Sequence, residues 1–204
     1  FSLGDNFIEN YSRVLFKKAG FFNEITVLKM FFNSFVMATG IATLSVVTSL
    51  MAAYGLVYFR IKYASFIFWL IFVTLLVPLE LRVMPTYIVI SKLNLLNSFA
   101  GLIIPISASA IATFFFRQFY KSIPEELLEA AKLDGTNSWK FFIDFLVPLS
   151  KTMIAAVFIF MFVFGYNQYL WPLIMTTTEE YWTVVMGLKT MYGSISHRFA
   201  FVIM

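Results

Sequence analysis

Charge-free stretches of apolar residues alternate along the chain with short charged segments. Four windows contain no Asp, Glu, Lys or Arg, and they cover residues 30–59, 63–79, 93–116 and 152–178. Each is close to or above the roughly 20 residues that a helix needs to cross a hydrocarbon core. The pattern therefore predicts four complete membrane-spanning helices, and a fifth is predicted to begin near Phe199.

The densest cluster of acidic side chains lies between the third and fourth windows. Residues 122–148 read SIPEELLEAAKLDGTNSWKFFIDFLVP. A charge at the bilayer centre costs about 2.5–3.5 kcal/mol, so Glu125, Glu126, Glu129 and Asp134 must keep this segment in water. An acidic helix held between two spans suggests an element that engages a partner in the aqueous phase.

Local signals predict where this acidic helix begins and ends. Ser122 and Glu125 have the spacing of a capping box, and Pro124 is compatible with the first turn. Gly135 follows Asp134, where a left-handed residue commonly ends a helix. The side chains predicted to form an apolar patch opposite the acids are Leu127, Leu128, Ala130 and Ala131.

Composition supports a membrane protein and excludes several classes of site. The 204 residues are 60% hydrophobic, 20% aromatic and 13% charged, with a mean hydropathy of +0.83, which is too apolar for an ordinary soluble domain. There is no cysteine and one histidine, His197, so the sequence predicts no disulfide and no metal site. No P-loop, nucleophile elbow or HExxH motif occurs, and no basic stripe of the nucleic-acid type is present.

The distribution of cations predicts the orientation in the membrane. The connections after the first and third windows are the richer ones, with Arg60, Lys62, Arg117, Lys121, Lys132, Lys140 and Lys151. The other connections carry Arg82, Lys92, Lys189 and Arg198. The positive-inside rule then places the acidic helix in the cytoplasm. Arg13, Lys17, Lys18 and Lys29 precede the first window and count against this orientation.

The two ends of the chain are predicted to be internal to a larger membrane protein. The chain begins at Phe1 and ends in the apolar residues FVIM. Residues 1–28 are predicted to form an extracytoplasmic connection with some amphipathic helix.

The end of the second window carries prolines and ionisable groups. Pro78 and Pro85 interrupt the hydrophobic pattern, and Glu80 and Arg82 lie between them. Broken helices with ionisable side chains often line a substrate path. The alternative is an interfacial ion pair that ends the span.

The end of the fourth window combines amides with aromatic residues. Asn167 and Gln168 lie among Tyr166, Tyr169 and Trp171. The aromatic residues are typical of an interface belt, whereas two amides are costly against lipid and are expected to face protein or water. Asn167, Gln168 and Trp171 are therefore further candidates for a substrate path, or they hold helices together.

Small residues recur in the first window at spacings of mostly four. They are Ala38, Ala42, Ser45, Ser49 and Ala53. One face of small side chains lets another helix approach closely, and packing within the chain's own bundle is the simpler interpretation.

The acidic loop resembles a known motif. Glu129-Ala130-Ala131, three residues, Gly135, nine residues, and then Phe145 to Pro148 are similar to the EAA-x3-G-x9-I-x-LP loop of binding-protein-dependent ABC transporter permeases. Phe145 replaces the usual Ile and Val147 the usual Leu. In that family the loop forms a coupling helix that seats in a groove of a cytoplasmic ATPase. The residues that the resemblance and the acidic helix together assign to ATPase coupling are Glu125, Glu126, Leu128, Glu129, Ala130, Ala131, Asp134, Gly135 and Pro148.

Three longer segments resemble the carbohydrate-uptake permeases of this family, most narrowly those of sn-glycerol-3-phosphate importers. They are FFFRQFYKSIPEELLEAAKLDG, FIFWLIFVTLLVPLELRVMPT and YNQYLWPL. The resemblance implies an all-α polytopic helix bundle in a bacterial inner membrane, with six spans in the family and about four complete here. It implies a permease domain over residues 29–204 with the coupling loop at 119–148.

The resemblance also implies the partners and the chemistry. The expected partners are a homologous permease, two ATPase subunits and a solute-binding protein, with ATP and Mg on the ATPases and no cofactor on this chain. The chain itself is expected not to be an enzyme. A permease for another sugar or polyol is the alternative, then a secondary transporter or a membrane-embedded transferase. The charge-free windows argue against the last two.

Overall fold

The computed structural model consists of helices joined by turns over the residues that it describes, which are 25–59, 61–190 and 192. Several expectations fall outside these residues. They are the connection predicted for most of residues 1–28, the span predicted near Phe199, and the side chains of Arg60, His197 and Arg198.

The helices follow one another with short connections. In chain order they are α1 Val27–Tyr58, α2 Ala64–Leu76, α3 Leu79–Lys92, α4 Phe99–Ser107, α5 Ala110–Lys121, α6 Glu125–Leu133, α7 Ser138–Leu149, α8 Lys151–Tyr166 and α9 Leu170–Met175. α2 ends in a 3-10 turn over Thr74–Leu76, and α7 is π-helical over Phe142–Leu146. A 3-10 turn at Glu179–Tyr181 precedes a helix over residues 184–190.

The predicted spans are mostly broken helices. Within the described residues α1 alone is long and apolar enough to cross a membrane. Three bent pairs, α2 with α3, α4 with α5, and α7 with α8, would bring the number to four if each pair is one span. The all-α fold class is confirmed, and the continuous third and fourth spans are not.

Proline explains the break after α2. Val77 is extended, with φ −82° and ψ 112°, because the ring of a following proline disfavours the helical region for the residue before it. Pro85, in contrast, lies inside α3. α3 therefore continues past Pro85, and of the two prolines only Pro78 lies at a break between helices.

Asparagine explains why the third window does not begin as a helix. Asn94 and Asn97 have φ of 54° and 53°, in the left-handed region that asparagine tolerates better than most residues. The Asn97 Oδ1 accepts from the Thr177 backbone N–H at 2.7 Å, and its Nδ2 donates to the Thr177 hydroxyl at 2.8 Å. Residues 93–98 are thus a turn bonded to the segment after α9.

The chain forms two compact units. Of the described residues, one comprises 25–39, 83–105 and 163–190, and its core includes Met37, Ile90, Leu102, Trp171 and Met186. The other comprises residues 40–82 and 106–162, and its described core includes Ile41, Phe116, Tyr120, Phe141 and Leu146. The acidic loop belongs to the second unit.

The small-residue face of α1 is a packing face, as predicted. All five of its small side chains are at most 1% exposed. The Ser45 hydroxyl donates to the Ser107 carbonyl at 2.6 Å, and the Ser49 hydroxyl to the Ser109 carbonyl at 3.2 Å. These bonds supply donors at the break between α4 and α5, where non-helical backbone at membrane depth needs partners.

Candidate functional site

The acidic loop contains the helix α6, which lies between the end of α5 and the start of α7. Glu125 is its first residue and Pro124 its N-cap, with φ −59° and ψ 138°. The capping box predicted from Ser122 is wrong. Ser122 instead caps the C-terminus of α5, and its hydroxyl donates to the Phe119 carbonyl at 2.7 Å. Its helical backbone, with φ −85° and ψ −10°, is incompatible with an N-cap.

The C-terminus of α6 ends as the sequence predicted. Gly135 has φ +72°. The Gly135 N–H donates to the Lys132 carbonyl and the Thr136 N–H to the Ala131 carbonyl, both at 3.0 Å. These two bonds make up a Schellman motif, which satisfies the last carbonyls of the helix. A side chain at Gly135 would meet no atom within 4 Å, so the requirement for glycine here is conformational.

One face of α6 is fully open. Glu125, Glu126, Glu129 and Ala130 are exposed, and Leu133 is exposed by 89%. At 100° per residue these positions lie within one arc of the helix. No carboxylate on this face has an ion-pair partner among the described residues. The face offers an acidic surface with one large apolar side chain.

The opposite face of α6 packs inward. Ala131 is 3% exposed, and Leu127 and Leu128 are half-buried. The sequence grouped Ala130 with these residues, but the structure leaves Ala130 exposed on the acidic side. Of the other residues assigned to coupling, Asp134 is the exposed C-cap of α6, and Pro148 lies exposed in α7.

Leu133 is the site residue that the sequence analysis missed. It lies four residues after Glu129 and therefore on the same helical face. That spacing was available in the sequence and could have revealed it.

The first pair of substrate-path candidates lies at the start of α3. Glu80 and Arg82 occupy the first turn of this helix, and both are exposed. A carboxylate in a first turn complements the positive end of the helix dipole. The helix dipole therefore explains an acidic residue at position 80 without any contact with a substrate.

The second group of candidates lies at the junction of α8 and α9. The Asn167 Nδ2 donates to the Val163 carbonyl at 2.9 Å, and the Gln168 Nε2 donates to the Phe164 carbonyl at 3.3 Å. Each amide thus uses one of its two N–H donors at the end of α8. Trp171 is 1% exposed, and its indole N–H donates to the Leu102 carbonyl at 3.1 Å. Trp171 is therefore a core residue that fixes α9 to α4.

No cluster of three or more His, Cys, Asp or Glu side chains that could hold a metal ion occurs in the part of the chain that the structure describes. The exposed acidic face of α6 is therefore the candidate functional site of the second unit.

Comparison with known families identifies the class of protein. The chain belongs to the family described as binding-protein-dependent transport system inner membrane component, whose model matches residues 45–204. The match includes the whole acidic loop, in agreement with the motif found in the sequence.

Individual relatives are similar over most of the chain. The chain is 44% identical over 188 residues to the sn-glycerol-3-phosphate transport system permease protein UgpE of Brucella abortus. The aligned residues cover 92% of this chain and 67% of that protein. The chain is 49% identical over 165 residues to the UgpE protein of Yersinia enterocolitica, which covers 81% of the chain and 59% of that protein. The chain thus spans about three fifths to two thirds of the length of these relatives.

A solved structure has a similar fold. It is the crystal structure of a bacterial ABC transporter involved in the import of the acidic polysaccharide alginate. The TM-score is 0.67 at 26% identity, with 80% of this chain and 60% of that chain covered.

Proposed function

We propose that this chain is part of the permease subunit of an ATP-driven importer for sn-glycerol-3-phosphate. The subunit pairs with a second, homologous permease to line the translocation path in the bacterial inner membrane. Two cytoplasmic ATPases bind ATP and Mg, and a solute-binding protein delivers the substrate. The permease itself performs no catalysis. The names of the Brucella and Yersinia relatives support this substrate and this role.

The observation that carries the proposal is the open face of α6. The Schellman motif at Gly135 ends α6 with bonds from within the chain. The carboxylates of the open face have no ion-pair partner among the described residues, and exposed Leu133 lies at the C-terminal end of the face. An apolar anchor surrounded by charges is the pattern of an interface whose anchor fills a pocket and whose charges set orientation. We assign the ATPase contact to Glu125, Glu126, Glu129, Ala130 and Leu133.

The remaining residues assigned to coupling have positioning roles in this proposal. Ala131 and Leu128 hold α6 against the permease, since their side chains lie inward. Asp134 and Gly135 end the helix, and Pro148 lies in the exit helix α7. Closure of the ATPase dimer then moves α6, and the spans convert this movement into alternating access.

For the substrate, a phosphate monoester needs cations or helix N-termini along its path. Arg82 lies in the first turn of α3 and is the cation that we propose for this contact, with Glu80 beside it. Asn167 and Gln168 are proposed to contact glycerol hydroxyls through their oxygen atoms, which accept hydrogen bonds, while one N–H of each amide is bonded within α8.

A permease for another sugar or polyol is the alternative in the same class. A secondary transporter would carry ionisable residues deep in its spans. Within α1, the one uninterrupted candidate span of the described residues, Lys29 in the first turn is the only charged side chain. The four charge-free windows of the sequence favour an importer driven by a partner ATPase.

The docking surface is tested in the full-length permease, purified with its partner permease and ATPase subunits. Glu129→Lys reverses a charge in the centre of the open face, and Leu133→Asp removes the apolar anchor. Each is expected to lower ATPase co-purification and substrate-stimulated, vanadate-sensitive ATP hydrolysis at least about tenfold. A misplaced charge in an interface costs several kcal/mol, and about 1.4 kcal/mol is already tenfold.

Asp144→Lys is the matched control. Asp144 is an exposed acid in the same loop but lies in α7, away from α6, and its reversal should change both quantities less than about twofold. If Glu129→Lys and Leu133→Asp leave both quantities at the wild-type level, α6 is not the ATPase contact.

A further inference from the structure

Two tyrosines near the end of α1 each bond one stem of the acidic loop. The Tyr54 hydroxyl donates to the carbonyl of Ser138 at 2.7 Å, and the Tyr58 hydroxyl donates to the carbonyl of Tyr120 at a longer 3.4 Å. Tyr120 is the next-to-last residue of α5, and Ser138 is the first of α7. The segment that contains α6 therefore leaves and returns at two points that are both bonded to α1.

Ring contacts strengthen both attachments. Tyr54 packs on Phe142 with ring centroids 4.9 Å apart. Tyr58 meets Phe141 edge-on at 5.5 Å and Tyr120 edge-on at 6.0 Å. Tilted and edge-on arrangements of this kind are the favourable ones for aromatic pairs. The Tyr58 ring thus lies between side chains of the entering and the leaving helix.

The joint is partly shielded from water. Tyr54, Tyr120, Phe141 and Phe142 are buried, Tyr58 is half-buried, and Ser138 at the edge of the joint is exposed. A hydrogen bond in partly buried surroundings is stronger than the same bond at a fully exposed surface. The stronger of the two is the short bond from Tyr54.

Both bonds end on main-chain carbonyls, so they follow the backbone of the loop rather than a flexible side chain. Tyr54 and Tyr58 are four residues apart and lie on one face of α1. Two attachments on one helix resist rotation as well as translation of the loop stems relative to that helix. A displacement of α6 therefore moves the end of α1 with it.

We propose that Tyr54 and Tyr58 form a clamp that makes α1 the span receiving the movement of the coupling loop. The inference rests on the proposed function, in which a partner ATPase moves α6. It assigns the two tyrosines a positioning role in the coupling of ATP hydrolysis to import.

The test is the ratio of ATP hydrolysed to sn-glycerol-3-phosphate imported, measured in proteoliposomes with the complete transporter and its binding protein. Tyr54→Phe removes the short hydrogen bond and keeps the ring, and Tyr58→Leu removes the ring between the two stems. Tyr54→Phe is expected to raise the ratio about fivefold, the effect of one typical hydrogen bond. Basal ATP hydrolysis and assembly are expected to stay within about twofold of wild type.

Tyr63→Phe is the matched control. Tyr63 precedes α2 and is exposed, and no hydrogen bond of its hydroxyl occurs among the described residues. It should leave the ratio unchanged. A purely structural role for Tyr54 would lower thermal stability without changing the ratio, so an unchanged ratio in Tyr54→Phe overturns the clamp even if Tyr58→Leu fails to assemble.

A second measurement follows the joint directly. Spin labels at Leu44→Cys in α1 and Lys140→Cys in α7, both exposed positions, report the separation of the two helices. In the wild-type background the separation is expected to be the same without nucleotide and with ATP and vanadate, and to differ between these states in the Tyr54→Phe/Tyr58→Leu variant. A separation that changes between the states in the wild-type background contradicts the clamp.

The two proposals fail in different ways. A wild-type complex without substrate-stimulated ATP hydrolysis removes the proposed function and the clamp with it. A coupled wild type with equally coupled tyrosine variants removes the clamp alone.

Discussion

At the scale of single residues, Leu133 is the most informative position of the loop. Single exposed leucines are common on protein surfaces. Leu133, however, lies at 89% exposure on the same helical face as Glu129 and ends a helix that is complete without any partner. This combination is the reason that we propose Leu133 as a contact residue.

Gly135 provides a prediction about conformation alone. Its φ of +72° is left-handed, and a Cβ there would meet nothing within 4 Å. Gly135→Ala is expected to destabilise the loop by about 1 kcal/mol, Gly135→Asn by less because asparagine tolerates this region, and Gly135→Val by more. The order Asn, Ala, Val should appear as increasing loss of substrate-stimulated ATP hydrolysis.

Gly135→Lys, whose side chain would extend into open solvent, is a useful companion. If steric clashes alone decided the outcome, Gly135→Lys would resemble wild type, because a Cβ at this position meets no atom within 4 Å. Equal activity of the Asn and Val variants would show that the left-handed turn is not required.

Arg82 provides a prediction about the substrate. Arg82→Gln removes the guanidinium proposed to meet the phosphate, and a lost charge-assisted hydrogen bond of about 1.5 kcal/mol raises the apparent KM roughly tenfold. Uptake of labelled sn-glycerol-3-phosphate at several concentrations measures this. Lys92→Gln, which removes a cation from the last turn of the same helix, is the control, and an unchanged KM in Arg82→Gln excludes Arg82 from the path.

At the scale of elements, helix ends determine the shape of the acidic loop. The C-terminus of α6 could be predicted because Gly135 is itself the signal. The N-terminus could not, because Ser122 has two possible uses and its hydroxyl closes α5 instead. Local sequence does not decide between capping the previous helix and capping the next.

The packing of α1 against the break between α4 and α5 is testable in the same way. Ser45→Ala and Ser49→Ala each remove a hydroxyl donor to the carbonyls of Ser107 and Ser109. Each is expected to cost about 0.6–2 kcal/mol, the range measured for hydrogen bonds between helices in membranes. Thermal unfolding of the purified complex is the measurement.

Thr48→Ala is the control for these two variants. Thr48 is exposed, and its hydroxyl bonds the Leu44 carbonyl one turn back in α1 itself. Its loss should leave the midpoint unchanged. If Thr48→Ala lowers the midpoint of thermal unfolding as much as Ser45→Ala does, the hydrogen bonds from α1 to the break between α4 and α5 do not contribute specifically to stability.

At the scale of the whole molecule, apolar side chains cover much of the described surface. Exposed examples are Phe31, Phe32 and Phe35 on α1, Phe66, Trp69 and Leu70 on α2, Met84, Ile88 and Val89 on α3, and Ile159, Phe160 and Val163 on α8. Soluble monomers do not expose contiguous apolar surface on this scale. Lipid and a second permease are the surroundings that would cover it, in agreement with the composition and the family.

How much of the fold the sequence predicts depends on whether an element is determined by local residues or by contacts with distant ones. Charge-free windows locate α1 well because hydropathy measures transfer into lipid. They fail at residues 93–98, since the turn there depends on Asn97 bonding Thr177, a residue 80 positions away. The burial of Trp171 and its bond to the Leu102 carbonyl likewise depend on packing that no local pattern contains.

The Schellman motif at the end of α6 has a consequence for the kinetics of each transport cycle. A segment that became ordered only on contact would lose conformational entropy at every docking event, and that loss would weaken the complex. Because α6 is a finished helix before any encounter, this cost is absent. If α6 is the ATPase contact that we propose, the ATPase releases and recaptures the same rigid surface at every turnover without a folding step.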